Sequence, residues 1–311
     1  MRAVVVPRNG GPEVLEVVTL PDRHAGPGQV RIRVAAATVN PTDLASRAYP
    51  RGQAPTSEEP LVLGMEAAGT IDEVGEGVTG LAVGDEVIAI AVPSSETGGA
   101  YREDLVVDAE QVAPKPAGLD MAHAATIPMN GLTAQLALDM LDLGEGEDLV
   151  VSGAAGALGG YVCQLAAHRG LRVVAIGSDT DRDLLASLGA HEFVERGEGV
   201  GQRVREVLPE GAHGAVDAAL LHEELLPAVR DGGGFAVVRG WDGDVDRGIT
   251  VHKVMVTRYS HRTEKLTELV QLTEAGTLTT RVAQTYPIAQ APEAHRRMEA
   301  GGVRGRLVLT F

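Results

Sequence analysis

The segment that most constrains the fold of this chain is a glycine-rich turn between an apolar strand and an apolar helix. It comprises residues 149–160, with the sequence LVVSGAAGALGG. Small residues at such a junction let the backbone turn sharply, approach a pyrophosphate closely and direct helix N-terminal amides at negative charge. A tight turn without a ligand is the alternative, and the strand-to-helix context favours a dinucleotide site. The predicted contacts are Gly153, Ala155, Gly156, Ala157, Leu158 and Gly159.

Strand-like and helix-like segments alternate on both sides of this turn. Apolar strands are predicted at 149–152, 172–176, 192–194, 215–218 and 235–238, with helices between them. Alternating strands and helices joined by a few residues are typical of a parallel sheet with helices on both faces. We therefore predict a doubly wound α/β domain over residues 123–265.

The first 122 residues have a different pattern. Short apolar strands are separated by Gly/Pro turns such as Gly26-Pro27-Gly28, and residues 30–34 alternate apolar and basic side chains. A period of two is typical of a half-buried antiparallel strand. Because residues 305–309 return to β character, residues 266–311 are predicted to join residues 1–122 in one β-rich domain.

Charge and cysteine content exclude several classes of protein. The 311 residues include 27 Lys and Arg against 43 Asp and Glu, a formal net charge of −16. A surface this acidic repels phosphate backbones, which argues against a nucleic-acid partner. No apolar run approaches about 18 residues and the first apolar stretch is short, so neither a membrane span nor a secretory signal is predicted. With Cys163 as the single cysteine, we expect no intramolecular disulfide and a cytoplasmic location.

The end of the second strand of the α/β domain bears on the choice between NADPH and NADH. Ser178 at the strand tip and the guanidinium groups of Arg182 and Arg196 would suit the 2′-phosphate of NADPH. An NAD-selective site usually has a carboxylate about twenty residues after the glycine turn, and Asp179 and Asp181 lie close enough to disfavour a phosphate. Alternatively, one of these aspartates caps the next helix and Arg182 is solvated. The residue chemistry favours NADPH and leaves NADH open.

Seven short motifs in order along the chain carry a family resemblance. They are Val39-Asn40-Pro41-Thr42-Asp43, Gly64-Met65-Glu66-Ala67-Ala68-Gly69, Val83-Gly84-Asp85-Glu86-Val87, Asn130-Gly131-Leu132-Thr133-Ala134, the glycine turn, Ser187-Leu188-Gly189-Ala190 and Gly305-Arg306-Leu307-Val308-Leu309. With them the chain resembles the zinc-independent quinone oxidoreductases of the medium-chain dehydrogenase/reductase superfamily over essentially its full length. The resemblance implies a GroES-like catalytic domain, a Rossmann domain and a homodimer formed through the Rossmann domains.

The residues at the positions of the family's zinc ligands do not suit zinc. Zinc-dependent relatives have a cysteine where this sequence has Asn40 and a histidine where it has Met65. An amide and a thioether are poor ligands for Zn²⁺, and Glu66 alone cannot hold the ion. We therefore expect no metal and no alcohol dehydrogenation through a zinc alkoxide.

Direct hydride transfer from a nicotinamide to a quinone or an α,β-unsaturated carbonyl is the reaction that this resemblance implies. Such acceptors spread the negative charge themselves, so the protein needs only to align the reactants and offer a hydrogen bond to the developing oxyanion. Asn40, Tyr49 and Asn130 are the polar candidates, and Thr133 is expected to contact the nicotinamide end of the cofactor. A surface ring is an equally good interpretation of Tyr49, and a role in fixing the local backbone is the alternative for Asn130. Asp43 is expected to cap its helix rather than take part in catalysis.

Two alternative functions remain open. An enoyl-thioester reductase of acyl or polyketide intermediates would need a basic patch for its carrier phosphates, for which only Arg47 and Arg51 are candidates. A non-catalytic NADPH-binding redox sensor would keep the glycine turn and lose turnover. After the fourth strand, relatives often have a glycine-containing turn where this chain continues from Asp217 into residues 218–222, so the loop near the cofactor is expected to be altered.

Overall fold

The computed structural model describes residues 1–49, 54–95 and 98–311. Along these residues the strands are, in chain order, β1 (Arg2–Val6), β2 (Glu16–Thr19), β3 (Gln29–Val39), β4 (Leu61–Val62), β5 (Glu66–Val74), β6 (Glu86–Ile90), β7 (Asp104–Asp108), β8 (Val112–Pro114), β9 (Asp148–Ser152), β10 (Arg172–Gly177), β11 (Glu192–Glu195), β12 (Ala212–Asp217), β13 (Val229–Val238), β14 (Thr250–Val254), β15 (Val282–Pro287) and β16 (Arg306–Thr310). The α-helices are α1 (Pro41–Ala48), α2 (Met121–Ala124), α3 (Pro128–Leu141), α4 (Ala157–His168), α5 (Arg182–Ser187), α6 (Val200–Val207), α7 (Thr263–Glu274) and α8 (Ala291–Glu299). None of the described helices is both long and apolar enough to span a membrane.

The chain divides into two compact units. The first comprises Met1–Met129, Thr257–Glu274 and Thr280–Phe311, and the second comprises Asn130–Val256 and Ala275–Thr279. The chain thus passes from the first unit to the second between residues 129 and 130 and returns between residues 256 and 257. The sequence pattern placed these two boundaries at 122/123 and 265/266. Helix α2 packs on β3 and β5, and α7 packs on β8. These contacts explain why both helices belong to the first unit.

The first unit is β-rich. Strands β2, β1 and β4 form one antiparallel sheet, and a larger sheet has the order β15-β16-β3-β5-β6-β8, with β7 also paired to β3. Strand β3 alternates buried Val30, Ile32 and Val34 with more exposed arginines, as its period of two predicts. On the more exposed face of β3, the Arg31 Nε donates a hydrogen bond to Asp72 Oδ1 at 2.8 Å. The buried side chains form an apolar core shared by both sheets.

The second unit contains a parallel six-stranded sheet in the order β11-β10-β9-β12-β13-β14. Strand β9 is the first in chain order, and the chain builds outward from it on one side through β10 and β11 and on the other through β12. The strand order therefore reverses between β9 and β12, the place where open α/β sheets bind ligands. The prediction of a β-rich domain and a doubly wound parallel sheet is confirmed.

Candidate functional site

The glycine turn joins β9 to α4 at the carboxyl end of the sheet. Gly153 has a left-handed backbone, with φ of 59°, and its carbonyl accepts the Gly156 N–H at 2.9 Å. A Cβ atom added to Gly159 would lie 2.3 Å from the Gly153 oxygen and 2.7 Å from the Ala154 Cα. Gly159 is therefore required for the close approach of α4 to the end of β9.

The N-terminus of α4 has the properties of an anion site. Gly156 is its N-cap, in an extended conformation, and offers no side-chain cap. The N–H groups of Ala157, Leu158 and Gly159 occupy the first helical positions, where no intrahelical acceptor exists, and the helix dipole adds positive potential there. A Cβ on Gly156 would have only the Gly153 oxygen, 3.1 Å away, within 4 Å. The turn thus fits a pyrophosphate, and a side chain at position 156 would enter the space that the phosphates need.

Ser152 and Asp217, at the ends of β9 and β12, form a buried pair beside the glycine turn, and neither was among the predicted site residues. Both are fully buried, they are register partners across the two strands, and the Ser152 hydroxyl donates to Asp217 Oδ1 at 2.6 Å. Polar residues at the carboxyl ends of two apolar parallel strands are the signal that could have identified them.

The loop that follows Asp217 lies against the glycine turn. Leu220 and His222 have left-handed backbones, with φ of 60° and 51°. The His222 ring stacks on Trp241, with centroids 5.5 Å apart and an interplanar angle of 4°. A Cβ on Gly153 would lie 3.3 Å from the Ala219 Cβ. The backbone of this loop is therefore strained at two residues that carry a Cβ.

At the tip of β10 the two aspartates are engaged locally. The Asp181 carboxylate accepts both the Ser178 hydroxyl, at 2.5 Å, and the Ser178 N–H, at 3.2 Å, so it caps the following turn. Asp179 receives the Arg182 guanidinium at 3.1 Å, and that guanidinium also lies 4.2 Å above the Phe193 ring centroid. The Ser178 hydroxyl is therefore already used as a donor to Asp181.

Arg196 lies beside the same strand tip. Its backbone N–H donates to the Gly177 oxygen at 2.7 Å, and its side chain is exposed. Among the described residues its guanidinium has no hydrogen-bond partner, in contrast to Arg182. The structure thus brings Ser178, Arg182 and Arg196 together, and of the two arginines Arg196 is the one with all its donors available.

Asn40, in the first unit, is fully buried. Its backbone N–H donates to Asp43 Oδ2 at 2.8 Å, so Asp43 caps α1 as expected. The Asn40 side-chain nitrogen has two long contacts of 3.4 Å, to the Thr38 oxygen and the Thr38 hydroxyl. Its Oδ1 atom is buried without a hydrogen-bond partner among the described residues, which leaves one unsatisfied acceptor in this amide.

Asp43 belongs to a buried polar chain in the first unit. Its carboxylate also accepts the Gly64 N–H, at 3.0 Å, and the Tyr101 hydroxyl, at 3.2 Å. Tyr101 contacts His295 Nε2 at 3.3 Å, and His295 Nδ1 lies 2.9 Å from Arg47 Nη1. Because Arg47 can only donate, His295 carries its proton on Nε2. Burial raises the pKa of Asp43 to about 6, and burial together with Arg47 lowers the pKa of His295 to about 3.

Arg47 cannot form part of a surface patch, as the interpretation for thioester carriers required. Its side chain is only 3% exposed and pairs with Glu299, and its Nε donates to the Gly10 oxygen at 3.0 Å. Arg51, the other member of that patch, lies outside the described residues.

A zinc site is not supported by the donor set. Glu66 is fully buried and binds Thr38, Arg306 and the Met129 N–H, the last at 2.7 Å, so its carboxylate is already occupied. Within residues 1–49, 54–95 and 98–311, no group of three His, Cys, Asp or Glu side chains is placed to hold a metal ion. With Asn40 and Met65 at the ligand positions, the residues present do not fit Zn²⁺.

The remaining predicted residues lie in two settings. Tyr49 is 73% exposed and follows α1, so it is separated from Asn40 by the length of that helix, about 13 Å. Asn130 and Thr133, in the first two turns of α3, are each 5% exposed. They are three residues apart and so share one face of the helix. No hydrogen bond within the described chain engages the Asn130 amide.

Two family profiles match the chain. The alcohol dehydrogenase GroES-like domain matches residues 26–117, within the β-rich unit, and the zinc-binding dehydrogenase profile matches residues 188–309. The expectation of a GroES-like region is confirmed.

Three curated relatives illustrate the range of similar proteins. A quinone oxidoreductase of Pseudomonas aeruginosa is 32% identical over 96% of both chains. A 2-haloacrylate reductase of Burkholderia sp is 28% identical over 99% of this chain and 98% of its own. The pikromycin polyketide synthase component PikAII of Streptomyces venezuelae is 33% identical over 94% of this chain, which spans only 8% of that protein's length.

Solved structures agree on the fold. An NAD-dependent alcohol dehydrogenase superposes with a TM-score of 0.86 and 31% identity over the whole of both chains. A mycobacterial protein complexed with NADPH superposes with a TM-score of 0.88 and 28% identity, again over both whole chains. One neighbour is thus described with NAD and the other with NADPH.

Proposed function

Because the chain belongs to the medium-chain dehydrogenase/reductase superfamily and is an oxidoreductase, we propose that it uses NADPH to reduce a quinone or an α,β-unsaturated carbonyl without a metal ion. The observation that carries this proposal is the uncapped N-terminus of α4 at the point where the strand order of the sheet reverses. Close relatives that reduce quinones and 2-haloacrylate support the acceptor class.

The cofactor would be held by the glycine turn. Backbone N–H groups of Ala157, Leu158 and Gly159 would bind the pyrophosphate, and Gly153 and Gly156 would leave room for it. Ala155, between these glycines, is buried and has a side chain too small to obstruct it. When bound, the reduced nicotinamide supplies the hydride that an electron-poor acceptor takes up.

NADPH is favoured over NADH by the state of the charges at the tip of β10. Asp181 is buried and accepts the Ser178 hydroxyl, and Asp179 is paired with Arg182, so both carboxylates have local partners that compete with a ribose diol. The Arg196 guanidinium is available for the bidentate contact that a 2′-phosphate accepts. Ser178, whose hydroxyl donates to Asp181, would contribute less than the sequence suggested.

Polar groups toward the acceptor would be the amides of Asn40 and Asn130, with Thr133 on the nicotinamide side. The Asn130 amide has its donors available and could bind the oxyanion that develops on the acceptor. Asn40 has an unsatisfied Oδ1 atom, which can accept but not donate. Tyr49 is exposed enough to reach solvent and remains the candidate for the proton donor.

The test is oxidation of NADPH and NADH, followed by absorbance, with ortho- and para-quinones, enones and 2-haloacrylate as acceptors. We expect faster turnover with NADPH and no effect of a chelator. Gly156→Val should abolish nucleotide binding while the protein still unfolds at an unchanged urea concentration. Loss of activity with a chelator and recovery with zinc would contradict the metal-free reaction, and unchanged binding by Gly156→Val would exclude the glycine turn as the site.

An enoyl-thioester substrate is the second candidate, favoured by the similarity of nearly the whole chain to a segment of PikAII. Because Arg47 is buried and engaged, a short thioester without a carrier is the better probe. Crotonyl thioester of N-acetylcysteamine belongs in the acceptor panel beside crotonyl-CoA. Preference for the thioesters over all quinones would establish this candidate. NADPH binding with no oxidation by any acceptor would instead support the redox sensor.

The proposed homodimer would form through the second unit. Strand β14 is at the edge of the six-stranded sheet, an edge strand invites pairing with another chain, and the adjacent Met255 is 50% exposed. Light scattering of the purified protein should give twice the mass of 32.4 kDa, and Met255→Asp should shift it toward the monomer. We propose a cytoplasmic location from the cysteine content, because the single cysteine, Cys163, is buried and has no second cysteine with which to form a disulfide.

A further inference from the structure

The buried pair Ser152 and Asp217 lies between the two halves of the parallel sheet. The residues end adjacent strands β9 and β12, where the strand order reverses. A carboxylate with no exposed surface is costly to bury unless donors surround it. Here the Ser152 hydroxyl supplies one donor at 2.6 Å, and the following loop supplies the others.

This pair joins the two segments that border the crevice at the carboxyl end of the sheet. Ser152 directly precedes Gly153, and its Oγ accepts the Ala219 N–H at 2.9 Å. Asp217 accepts the Leu221 N–H at 3.0 Å and the His222 N–H at 2.8 Å. One hydroxyl and one carboxylate therefore fix the glycine turn and the loop 218–222 to each other.

The loop needs this restraint because its backbone is strained. Leu220 and His222 have positive φ angles, a conformation that is unfavourable for residues with a Cβ and persists only where surrounding contacts enforce it. The N–H groups of Leu221 and His222, within the strained stretch itself, donate to the Asp217 carboxylate. Strain of this kind clusters at ligand sites.

We propose that Ser152 and Asp217 are positioning residues for the dinucleotide. They would not touch the cofactor, but would hold the loop 218–222 and the glycine turn at the separation that the nucleotide requires. This inference rests on the proposed function, because it assumes that the crevice binds a dinucleotide.

The experiment compares nucleotide affinity with stability in matched variants. Ser152→Ala removes the hydroxyl, and Ser152→Thr retains it. Ser187→Ala is the control, because it removes an exposed serine hydrogen bond of 2.7 Å elsewhere in the second unit. Affinity for NADPH is measured by quenching of Trp241, the single tryptophan, and stability by the urea midpoint of the same signal.

We expect Ser152→Ala to weaken NADPH binding about tenfold, the scale of one lost buried hydrogen bond, and to raise KM for the nucleotide more than it lowers kcat. Ser152→Thr and Ser187→Ala should bind within about twofold of the wild type. A lower urea midpoint for Ser152→Ala with unchanged NADPH affinity would mean that the pair is only structural, and would overturn the inference while leaving the proposed function intact. Absence of NADPH and NADH binding by the wild type would overturn both.

Discussion

Replacing Gly159 by alanine tests the packing of α4 on the glycine turn. The new Cβ would lie 2.3 Å from the Gly153 oxygen and 2.7 Å from the Ala154 Cα, about 1 Å short of an ordinary contact. Both obstacles are backbone atoms, so the start of the helix must move. Overpacking of this kind costs about 1–3 kcal/mol, and alanine recovers up to about 1 kcal/mol of helix propensity. Since the backbone cannot give way cheaply, we expect a net loss of about 2 kcal/mol.

Urea unfolding followed by Trp241 fluorescence measures this loss in the unit that contains the turn. Trp241 packs edge-on against Phe235, with centroids 5.7 Å apart, so its emission reports that unit. The midpoint should fall by about 1 M. Gly156→Ser is the matched control in the same turn: its Cβ would meet only one atom, 3.1 Å away, and its hydroxyl can cap α4, so its midpoint should not fall. A Gly159→Ala midpoint equal to that of the wild type would refute the packing argument.

Three further predictions concern specificity, pH and strain. Arg196→Ala should raise KM for NADPH at least about tenfold and leave KM for NADH nearly unchanged; equal changes in steady-state kinetics with the two nucleotides would remove Arg196 from the 2′-phosphate site. His295→Gln should cost less stability at pH 5 than at pH 7 in urea titrations followed by circular dichroism. Burial and Arg47 lower the pKa of His295 to about 3 in the folded protein, whereas it is about 6.5 in the unfolded chain. The unfolded chain therefore binds the extra proton, and the wild type loses stability as the pH falls below 6.5. A difference in unfolding free energy between His295→Gln and the wild type that is constant with pH would contradict this. Leu220→Gly should raise the free energy of unfolding by up to about 1 kcal/mol, because glycine relieves the positive φ of 60°, and a lower value in urea unfolding would show that the loop is not strained.

The pH effect of His295 is opposed by its neighbour in the same buried chain. The pKa of Asp43 is raised to about 6, so the folded protein binds this proton more tightly and gains stability as the pH falls from 6 to about 3.8. The two contributions therefore cancel in part in the wild type between pH 4 and 6. This is why the prediction concerns the difference between His295→Gln and the wild type rather than the pH profile of either.

Regular periodicity made much of the fold predictable from the sequence. Strands β9 and β10 each differ by one residue from the predicted limits of 149–152 and 172–176. The limits of α1 were not predicted, although Pro41 in its first turn and the capping Asp43 are start signals. Strand β15 was not predicted, because its side chains are mostly exposed and show no apolar alternation.

The contacts of the candidate site were less predictable because they join residues distant in sequence. Ser152 and Asp217 meet through the parallel register of β9 and β12 across 65 residues. Arg47 was interpreted as a surface cation, yet it is buried against His295, 248 residues away. A charged residue in a single sequence carries no sign of its partner, so composition favours the solvated interpretation.

The net charge of −16 does not conflict with a site for a phosphorylated cofactor. Three aspartates near the proposed site are engaged by local donors: Asp217 by Ser152 and two backbone N–H groups, Asp181 by Ser178, and Asp179 by Arg182. Charges on the rest of the surface are screened over about 8–10 Å at physiological ionic strength. The local potential is therefore set by the N-terminus of α4 and by the available arginine at the tip of β10. An acidic surface can repel a long polyanion and still leave this crevice attractive to a dinucleotide.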